Sequence, residues 1–181
     1  MIIGLGFQAR SGKDTVADFL VENHSFTKIA FADALKEGAA VIFGLDHDQL
    51  YGDKKDVVDE FWEDTPRNIL QKMGTECMRR GYRDDLWVKC VERAIRLHEL
   101  NWVITDVRFP NEAEAIKKWG GFLARVDRPE AGLKSEAAKL HASETAMINY
   151  EGWDYVLTND GTLLEAKANT AAMLKAAKAR L

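Results

Sequence analysis

The opening stretch of the chain combines an apolar strand, a short loop and a helix, and this combination strongly limits the fold. Residues 1–6 are apolar or glycine, and an amphipathic helical pattern begins near Val16. The loop between them ends in Gly12 and Lys13. A loop that enters a helix directs unpaired backbone N–H groups and the positive end of the helix dipole at one point, which suits phosphate. The stretch therefore predicts a phosphate-binding loop.

This loop departs from the usual nucleotide-binding pattern at two positions. The pattern has a glycine, four further residues, Gly-Lys and then Ser or Thr. Phe7 stands at the first glycine position, with Gly6 one place early, and Asp14 replaces Ser or Thr, with Thr15 next. An ordinary strand–turn–helix connection with a lysine at the helix start is the alternative. The strand before the loop and the helix after it favour the phosphate-binding interpretation.

The composition is that of an ordinary globular protein. The chain has 181 residues, of which 46% are hydrophobic and 30% charged, enough for one domain with its own core. A net charge of −4 argues against nonspecific adhesion to nucleic acid or membranes, so an acidic ligand must meet a local basic site. Cys77 and Cys90 have no CxxC or histidine neighbour, which predicts buried free thiols. We expect a cytoplasmic location, since neither an export leader nor a membrane-spanning apolar run is visible.

Strand and helix patterns alternate along the whole chain, which predicts a parallel sheet covered by helices. Residues 44–56 carry charged residues without a regular period and are expected to form a loop. Beyond the first strand, we predict strands over 26–31, 101–106, 122–126 and 153–159, and helices over 65–80, 84–100, 110–118 and 163–179.

Several charged residues are predicted to lie near the carboxyl ends of the strands, where open α/β sheets bind their ligands. Asp33 and Lys36 share a helix face just after the second strand. Asp106 ends a buried strand and is the expected counterpart of the Walker B acid. Arg67 and Gln71 lie one turn apart on the helix predicted over 65–80, and they are candidates to bind a ligand together. The alternative is that this face of the helix is simply exposed to water.

Residues 127–145 leave one predicted strand and return to the next with helical propensity and several basic residues. Arg128, Lys134, Lys139 and His141 are among them. A mobile lid over a bound nucleotide is expected at this place in the chain. A peripheral helix that covers the edge of the sheet is the alternative, because composition does not separate the two.

Four short motifs follow one another along the chain. They are Gly12-Lys13-Asp14-Thr15, Phe31-Ala32-Asp33-Ala34-Leu35-Lys36, Gln71-Lys72-Met73-Gly74-Thr75 and Thr105-Asp106-Val107-Arg108-Phe109. In this order they resemble the motifs of bacteriophage deoxynucleoside monophosphate kinases, and the similarity spans most of the chain up to the predicted lid. The first and fourth motifs are fairly specific together, and the other two are weaker alone.

The resemblance implies a P-loop NTPase fold with three α/β/α layers and five parallel strands in the order 2-3-1-4-5. Residues 1–181 would form a single kinase domain, with an acceptor-binding helical part over about 32–100 and a lid over about 127–146. The implied activity is direct in-line transfer of phosphate from ATP to a deoxynucleoside monophosphate, in the host cytoplasm if a phage encodes the chain. ATP and the monophosphate would be its partners, without nucleic acid or membrane, and the protein would be a monomer or homodimer.

The resemblance also implies roles for individual residues. Lys13 and the loop backbone would hold the ATP phosphates, and Arg108 is the best candidate to bind the acceptor phosphate through two hydrogen bonds. Asp14 would act on Mg²⁺, directly or through water, or position the acceptor, and Thr15 would supply the missing hydroxyl. The catalytic set is Lys13, Asp14, Arg108 and Arg128; the ATP-binding set is Arg10, Ser11, Gly12, Lys13, Asp14, Thr15 and Arg125; the acceptor-binding set is Asp33, Lys36, Arg67, Gln71, Asp106 and Arg108.

Some questions stay open at this level. Ser143 and Glu144 match the family pattern near the lid, but no chemistry follows for them. A kinase for another small acceptor, such as dephospho-coenzyme A or phosphomevalonate, is one alternative, and a non-catalytic ATP-binding module is another. Trp62, Tyr82 or Trp87 would suit stacking on a base, although their helical patterns favour the core. The accepted bases, and the choice between ribose and deoxyribose, do not follow from the sequence.

Overall fold

The computed structural model describes residues 1–129 and 141–180. These residues form two compact units, one made of Met1–Ala30 with Val91–Leu181 and the other of Phe31–Cys90. Most of the predicted lid, including Lys134 and Lys139, lies outside the described residues.

The first unit is built on a parallel sheet with the strand order β2-β3-β1-β4-β5. This result confirms the predicted α/β class and the order 2-3-1-4-5. The second and fifth strands are shorter than predicted. The strands are β1 Ile2–Gly6, β2 Phe26–Ile29, β3 Asn101–Val107, β4 Phe122–Asp127 and β5 Tyr155–Thr158.

Along the chain, helices follow each of the five strands. The helices predicted over 84–100, 110–118 and 163–179 begin and end within a few residues of those bounds. The helices of the two units are α1 Lys13–His24, α2 Asp33–Phe43, α3 His47–Tyr51, α4 Pro66–Gln71, α5 Leu86–Leu97, α6 Pro110–Lys118, α7 Ala142–Thr145 and α8 Leu163–Lys178. In the part of the chain that the structure describes, no helix is both long and apolar enough to cross a bilayer.

The central strand β1 lies between β3 and β4, and the main core surrounds it. Its residues Ile3 and Leu5 are fully buried. Val16 and Leu20 of α1 and Met173 of α8 belong to the same buried cluster. A strand covered on both faces needs an apolar residue at almost every position, which explains the uninterrupted apolar start of the chain. This packing fixes the carboxyl end of β1, from which the candidate phosphate-binding loop departs.

The second unit is helical. The prediction of a loop over 44–56 is wrong. This segment contains α3 and a 3₁₀ turn, Asp53–Asp56. Asp46 caps α3, because its carboxylate accepts a hydrogen bond from the backbone N–H of Gln49 at 2.8 Å. The Gln49 side chain accepts one in return from the Asp46 backbone at 2.9 Å. This reciprocal capping stabilises a helix too short to show a periodic apolar pattern.

The helix predicted over 65–80 changes character halfway. It begins as predicted with Pro66 in its first turn, and it continues beyond α4 as the π-helix Lys72–Arg80. The wider π winding changes which side chains face inward, and Cys77 is exposed. Cys90 lies at the border of the buried face of α5 and is half-buried. Neither Cys77 nor Cys90 is in a disulfide bond, as predicted, but the prediction that both thiols are buried is wrong.

The three candidate stacking aromatics differ in burial. Trp87 is buried, as the core interpretation predicts, and its indole N–H donates to the carbonyl oxygen of Gly74 at 3.0 Å. Tyr82 is 71% exposed and Trp62 39% exposed, so the core interpretation is wrong for these two.

The crowding around Gly6 gives a first prediction. A Cβ atom at this position would lie 2.5 Å from the Trp153 ring and 2.8 Å from the carbonyl oxygen of Val107. We expect Gly6→Ala to lower the free energy of unfolding by about 1–3 kcal/mol, as overpacking does.

The matched control is Gly38→Ala inside α2, where the nearest atom is the flexible end of Met73 at 3.3 Å. This control is expected to stabilise by up to about 1 kcal/mol, since alanine is the better helix former. Urea denaturation measures both, and a Gly6→Ala protein as stable as the wild type would contradict the prediction.

Candidate active site

The loop between β1 and α1 has an unusual backbone. Phe7, Arg10 and Gly12 have φ angles of 94°, 62° and 89°. Positive φ is uncommon for residues other than glycine, and it is strained for a bulky residue such as phenylalanine. Ser11, between two of these positions, is completely buried. The loop is therefore tightly curved, and its surroundings must hold it in this shape.

The ammonium group of Lys13 lies against the loop from which it projects. It donates hydrogen bonds to the carbonyl oxygens of Phe7, at 3.4 Å, and of Gln8. It also lies 3.3 Å from the hydroxyl oxygen of Ser11. These acceptors are neutral, so an anion placed at the loop would offer the ammonium group a stronger partner.

The charge of Lys13 is destabilised by its surroundings. Burial and, next, the guanidinium group of Arg108 lower the pKa of Lys13 to about 8. The carboxylates of Glu144, Asp14 and Asp106 act in the opposite direction without cancelling this effect. Each of the two cations raises the electrostatic energy of the other. An anion that binds close to both of them would lower this energy, so the pair favours anion binding.

Arg108 directly follows β3 and is held by carboxylates. Its guanidinium group forms an ion pair with Glu144 of α7, whose side chain is only 9% exposed. Burial alone would lower the pKa of Arg108, but Glu144, Asp106 and Glu112 raise it overall. The structure thus brings together Lys13, Arg108 and Asp106, as the sequence predicts, and it adds Glu144 to them.

Glu112 anchors the turn between β3 and α6. Its side chain is buried, and one carboxylate oxygen accepts hydrogen bonds from the backbone N–H groups of Arg108, at 2.8 Å, and of Phe109, at 3.1 Å. These N–H groups have no partner within the helix, so the carboxylate satisfies them and complements the helix dipole. The bond to the Arg108 backbone fixes the position from which its side chain extends.

Asp14 lies in the first turn of α1 and has a lysine as its partner. Its carboxylate is 2.8 Å from the ammonium group of Lys28 on β2, and Asp18 is 3.1 Å from the same group. Burial lowers the pKa of Lys28, but its hydrogen bonds to the two aspartates raise it overall. The side chain of Asp14 is 79% exposed, and Thr15 is exposed as well. Both residues are therefore accessible to a ligand in solution.

Arg125 on β4 contacts the loop through an aromatic ring. Its guanidinium carbon lies 3.8 Å from the centre of the Phe7 ring, a cation–π contact. One terminal nitrogen donates to Asp127 at 2.9 Å. Its Nε atom is buried and has no hydrogen-bond partner among the residues that the structure describes. Arg10 and Arg128, the other candidate cations for ATP, are exposed.

Two of the candidate acceptor residues in the helical unit, Arg67 and Lys36, have partners within that unit. Arg67 forms two hydrogen bonds with Asp56, at 2.6 and 3.1 Å, the fork geometry by which arginine also binds phosphate. The ammonium group of Lys36 lies 4.0 Å above the Tyr51 ring. Asp33 and Gln71 are half-buried.

The sequence reasoning missed Glu112 and Asn159, and it left Glu144 without a role. The amide nitrogen of Asn159 donates to the carbonyl oxygen of Ser11 at 2.8 Å, across 148 positions of sequence. The position of Glu112 near the start of a proline-initiated helix was a usable signal, since carboxylates are favoured there. A contact across such a distance leaves no local pattern for Asn159.

No group of three or more histidine, cysteine or acidic residues that would hold a metal ion occurs within residues 1–129 and 141–180. Mg²⁺ needs no such group, because it commonly uses one or two protein oxygens together with nucleotide phosphates and water. The exposed carboxylate of Asp14 and hydroxyl of Thr15, in the first turn of α1, fit this requirement.

Comparison with known proteins identifies the family. A model of the deoxynucleotide monophosphate kinase family matches residues 46–169. The chain belongs to this kinase family. Its relatives include a putative deoxynucleotide monophosphate kinase of Acanthamoeba polyphaga mimivirus, which is 35% identical over 91% of both chains. The deoxynucleotide monophosphate kinase of Enterobacteria phage T4 is 23% identical over 91% of this chain and 94% of its own. Family membership confirms the resemblance and the assignment as a kinase.

Solved structures agree with this kinase fold. The Thermus thermophilus protein TT1252 aligns with a TM-score of 0.60 and 18% identity, covering 97% of this chain and 96% of that one. A dephospho-CoA kinase from Campylobacter jejuni aligns with a TM-score of 0.55 and 15% identity, covering 99% and 98%. At this level of identity the likeness shows the fold alone.

The lowered pKa of Lys13 gives a second prediction. Its pKa of about 8 lies below the usual 10.5, so between these pH values the unfolded chain binds more protons than the folded chain. The stability of the kinase relative to Lys13→Met must then rise as the pH rises from about 8 to 10.5. At pH 7 we expect the variant to be more stable by about 1–3 kcal/mol. Urea denaturation without nucleotide at pH 7, 8, 9 and 10 measures this, with Lys118→Met on the exposed side of α6 as the control. A difference that stays constant with pH would contradict the prediction.

Proposed function

We propose that this kinase transfers the γ-phosphoryl group of ATP to the phosphate of a deoxynucleoside monophosphate, which yields ADP and a deoxynucleoside diphosphate. The observation that carries the proposal is the pairing of two cations, Lys13 and Arg108, at the carboxyl ends of β1 and β3. They are close enough for Arg108 to lower the pKa of Lys13. Membership of the deoxynucleotide monophosphate kinase family supports the class of acceptor.

The donor nucleotide is assigned to the loop between β1 and α1. In this proposal Lys13 exchanges the carbonyl oxygens of Phe7 and Gln8 for phosphate oxygens of ATP. The backbone N–H groups of residues 11–15 bind the same phosphates at the start of α1. Arg10 and Arg125 stay assigned to ATP and Arg128 to catalysis, and in the structure the guanidinium group of Arg125 contacts the Phe7 ring of the loop.

The acceptor phosphate is assigned to Arg108. On binding, the guanidinium group exchanges its contact with Glu144 for phosphate oxygens, which can accept two parallel hydrogen bonds from an arginine. The turn anchored by Glu112 holds the backbone of Arg108 still during this exchange. Asp33, Lys36, Arg67, Gln71 and Asp106 complete the acceptor set by resemblance to the family.

The chemistry needs positioning and charge neutralisation rather than a covalent intermediate on the protein. An oxygen of the acceptor phosphate attacks the γ-phosphorus, and the bond from that phosphorus to the oxygen shared with the β-phosphorus breaks. Negative charge shifts to this oxygen, which becomes part of ADP. Lys13 and Arg108 offset the charge, and exclusion of water by the predicted lid over 127–146 would prevent hydrolysis of ATP.

Magnesium belongs to the proposal as well. Bound with ATP, Mg²⁺ would supply positive charge that offsets the charge of the nucleotide phosphates. Asp14 and Thr15 are the residues proposed to hold it, directly or through water. The cytoplasmic location, the lack of nucleic-acid or membrane partners and a monomeric or homodimeric state remain predictions.

The acceptor is identified by an assay of ADP formation with ATP, Mg²⁺ and a panel of acceptors. The panel contains the common ribo- and deoxyribonucleoside monophosphates, with dephospho-coenzyme A and phosphomevalonate as competing acceptors. We expect one or more deoxynucleoside monophosphates to give the highest rates. If no nucleoside monophosphate raises ADP formation above the acceptor-free background, the proposed function is wrong.

Arg108→Ala is expected to reduce turnover by roughly 10²-fold or more, because it removes a cation that neutralises charge in the transition state. Arg108→Lys keeps the charge without the fork geometry and should retain intermediate activity. Steady-state kinetics at saturating ATP measure both. The matched control is Arg96→Ala on α5, whose side chain is 75% exposed and pairs with Glu92 one turn away. Turnover in Arg108→Ala equal to that of the control would contradict the role.

Asp14→Asn is expected to lower Mg²⁺-dependent turnover more than ATP affinity, because the amide keeps the shape of the carboxylate but loses its charge for the metal. The measurement compares kcat over a range of Mg²⁺ concentrations with the Kd for ATP. Asp18→Asn is the control, since Asp18 shares the partner Lys28. If both variants behave alike, or if Asp14→Asn loses affinity as strongly as turnover, the proposed role fails.

A further inference from the structure

We propose that Asn159 is a positioning residue for ATP, because it fixes the orientation of the peptide between Ser11 and Gly12 in the phosphate-binding loop. The inference rests on the proposed function of this loop as the ATP site. It assigns to the ATP site a residue that follows β5, the strand at the edge of the sheet.

Asn159 is held by one hydrogen bond of its backbone and one of its side chain. Asn159 directly follows β5, and its backbone N–H donates to the carbonyl oxygen of Asp127, at the end of β4, at 2.7 Å. Its side-chain amide then donates to the carbonyl oxygen of Ser11 at 2.8 Å. Two hydrogen bonds of Asn159 thus connect the carboxyl end of β4 to the loop between β1 and α1.

This hydrogen bond determines where the next N–H group points. The described residues contain no cis peptide bond, and in a trans peptide the C=O and N–H groups point in opposite directions. The Ser11 carbonyl is directed at Asn159, so the Gly12 N–H is directed away from Asn159. This N–H belongs to the set that a helix start offers to a phosphate.

Without Asn159 the Ser11 carbonyl would lose a partner in a place that water does not reach, since Ser11 is fully buried. A buried carbonyl without a partner is costly, and rotation of the peptide would relieve that cost. The rotation would also turn the Gly12 N–H away from its present direction. Asn159 therefore stabilises the orientation that presents this donor.

The steric surroundings of Gly12 support the same conclusion. A Cβ atom at Gly12 would lie 2.0 Å from the amide nitrogen of Asn159, and the φ angle of 89° already disfavours any other residue. Asn159 fills the space beside Gly12 that a side chain would need. The requirement for glycine thus comes from this neighbour as well as from the backbone.

The test uses Asn159→Ala and Asn159→Asp in the full chain. Aspartate keeps the shape of asparagine but places a carboxylate oxygen against the Ser11 carbonyl, so it removes the donor with little change in packing. The matched control is Asn169→Ala on α8, because Asn169 also donates its amide to a backbone oxygen, that of Thr158, at 2.9 Å. Titration calorimetry gives the Kd for ATP, steady-state assays give KM and kcat for both substrates, and thermal melts give Tm.

We expect Asn159→Ala to weaken ATP binding roughly three- to tenfold, the effect of one lost hydrogen bond, and Asn159→Asp to weaken it further. The KM for the deoxynucleoside monophosphate should stay within twofold of the wild type, and Asn169→Ala should match the wild type for both substrates.

Two outcomes would overturn the inference: a lower Tm with unchanged ATP affinity, or an equal loss for both substrates. If Asn159→Ala does not fold, the isosteric Asn159→Asp decides the matter. Failure of the proposed function can be distinguished from failure of this inference. In the first case the wild type would phosphorylate no nucleoside monophosphate, and the ATP titrations of the Asn159 variants and the control would still test the inference.

Discussion

Electrostatic repulsion between two cations is the constraint on which the candidate site depends. The strand order places the ends of β1 and β3 side by side, and this brings Lys13 and Arg108 into one partly buried region. Such a region is tolerated only with compensating charges, which Glu144, Asp106 and the buried Glu112 supply. The carboxylates stabilise the unliganded protein, and they also compete with any incoming phosphate for the same cations. Affinity for a nucleotide is therefore the difference between two sets of favourable contacts.

Much of the fold was predictable, because its signals are local. The apolar run of β1, the helix after Gly12 and the carboxylate at the end of β3 follow from patterns a few residues long. The strand order came from the resemblance to a family, since neighbouring strands such as β1 and β3 are about a hundred residues apart in sequence. Short elements with little periodicity, such as α3, depend on capping side chains and were missed.

The candidate site was predictable in its cations but less so in the groups that hold them. Lys13 and Arg108 stand in recognisable motifs, and the structure brings them together. Asn159 contacts Ser11 across 148 positions of sequence, and Glu144 contacts Arg108 across 36. A single sequence does not show which of two such distant residues come into contact. The partner of Asp14 was also missed. Lys28 lies on β2, the strand that follows α1 in the chain, and the alternating pattern of β2 predicts an exposed side chain but not its contact.

The contact between Phe7 and Arg125 has a consequence for how this loop can be recognised from its sequence. Phe7 holds a backbone conformation that suits glycine, and its ring lies under a guanidinium group from β4. In this chain Phe7 thus stands at the first glycine position of the phosphate-binding pattern, and a cation from the neighbouring strand stabilises its aromatic ring there. A pattern search that requires this glycine would therefore overlook the loop of this chain, although the strand before it and the helix after it are in place.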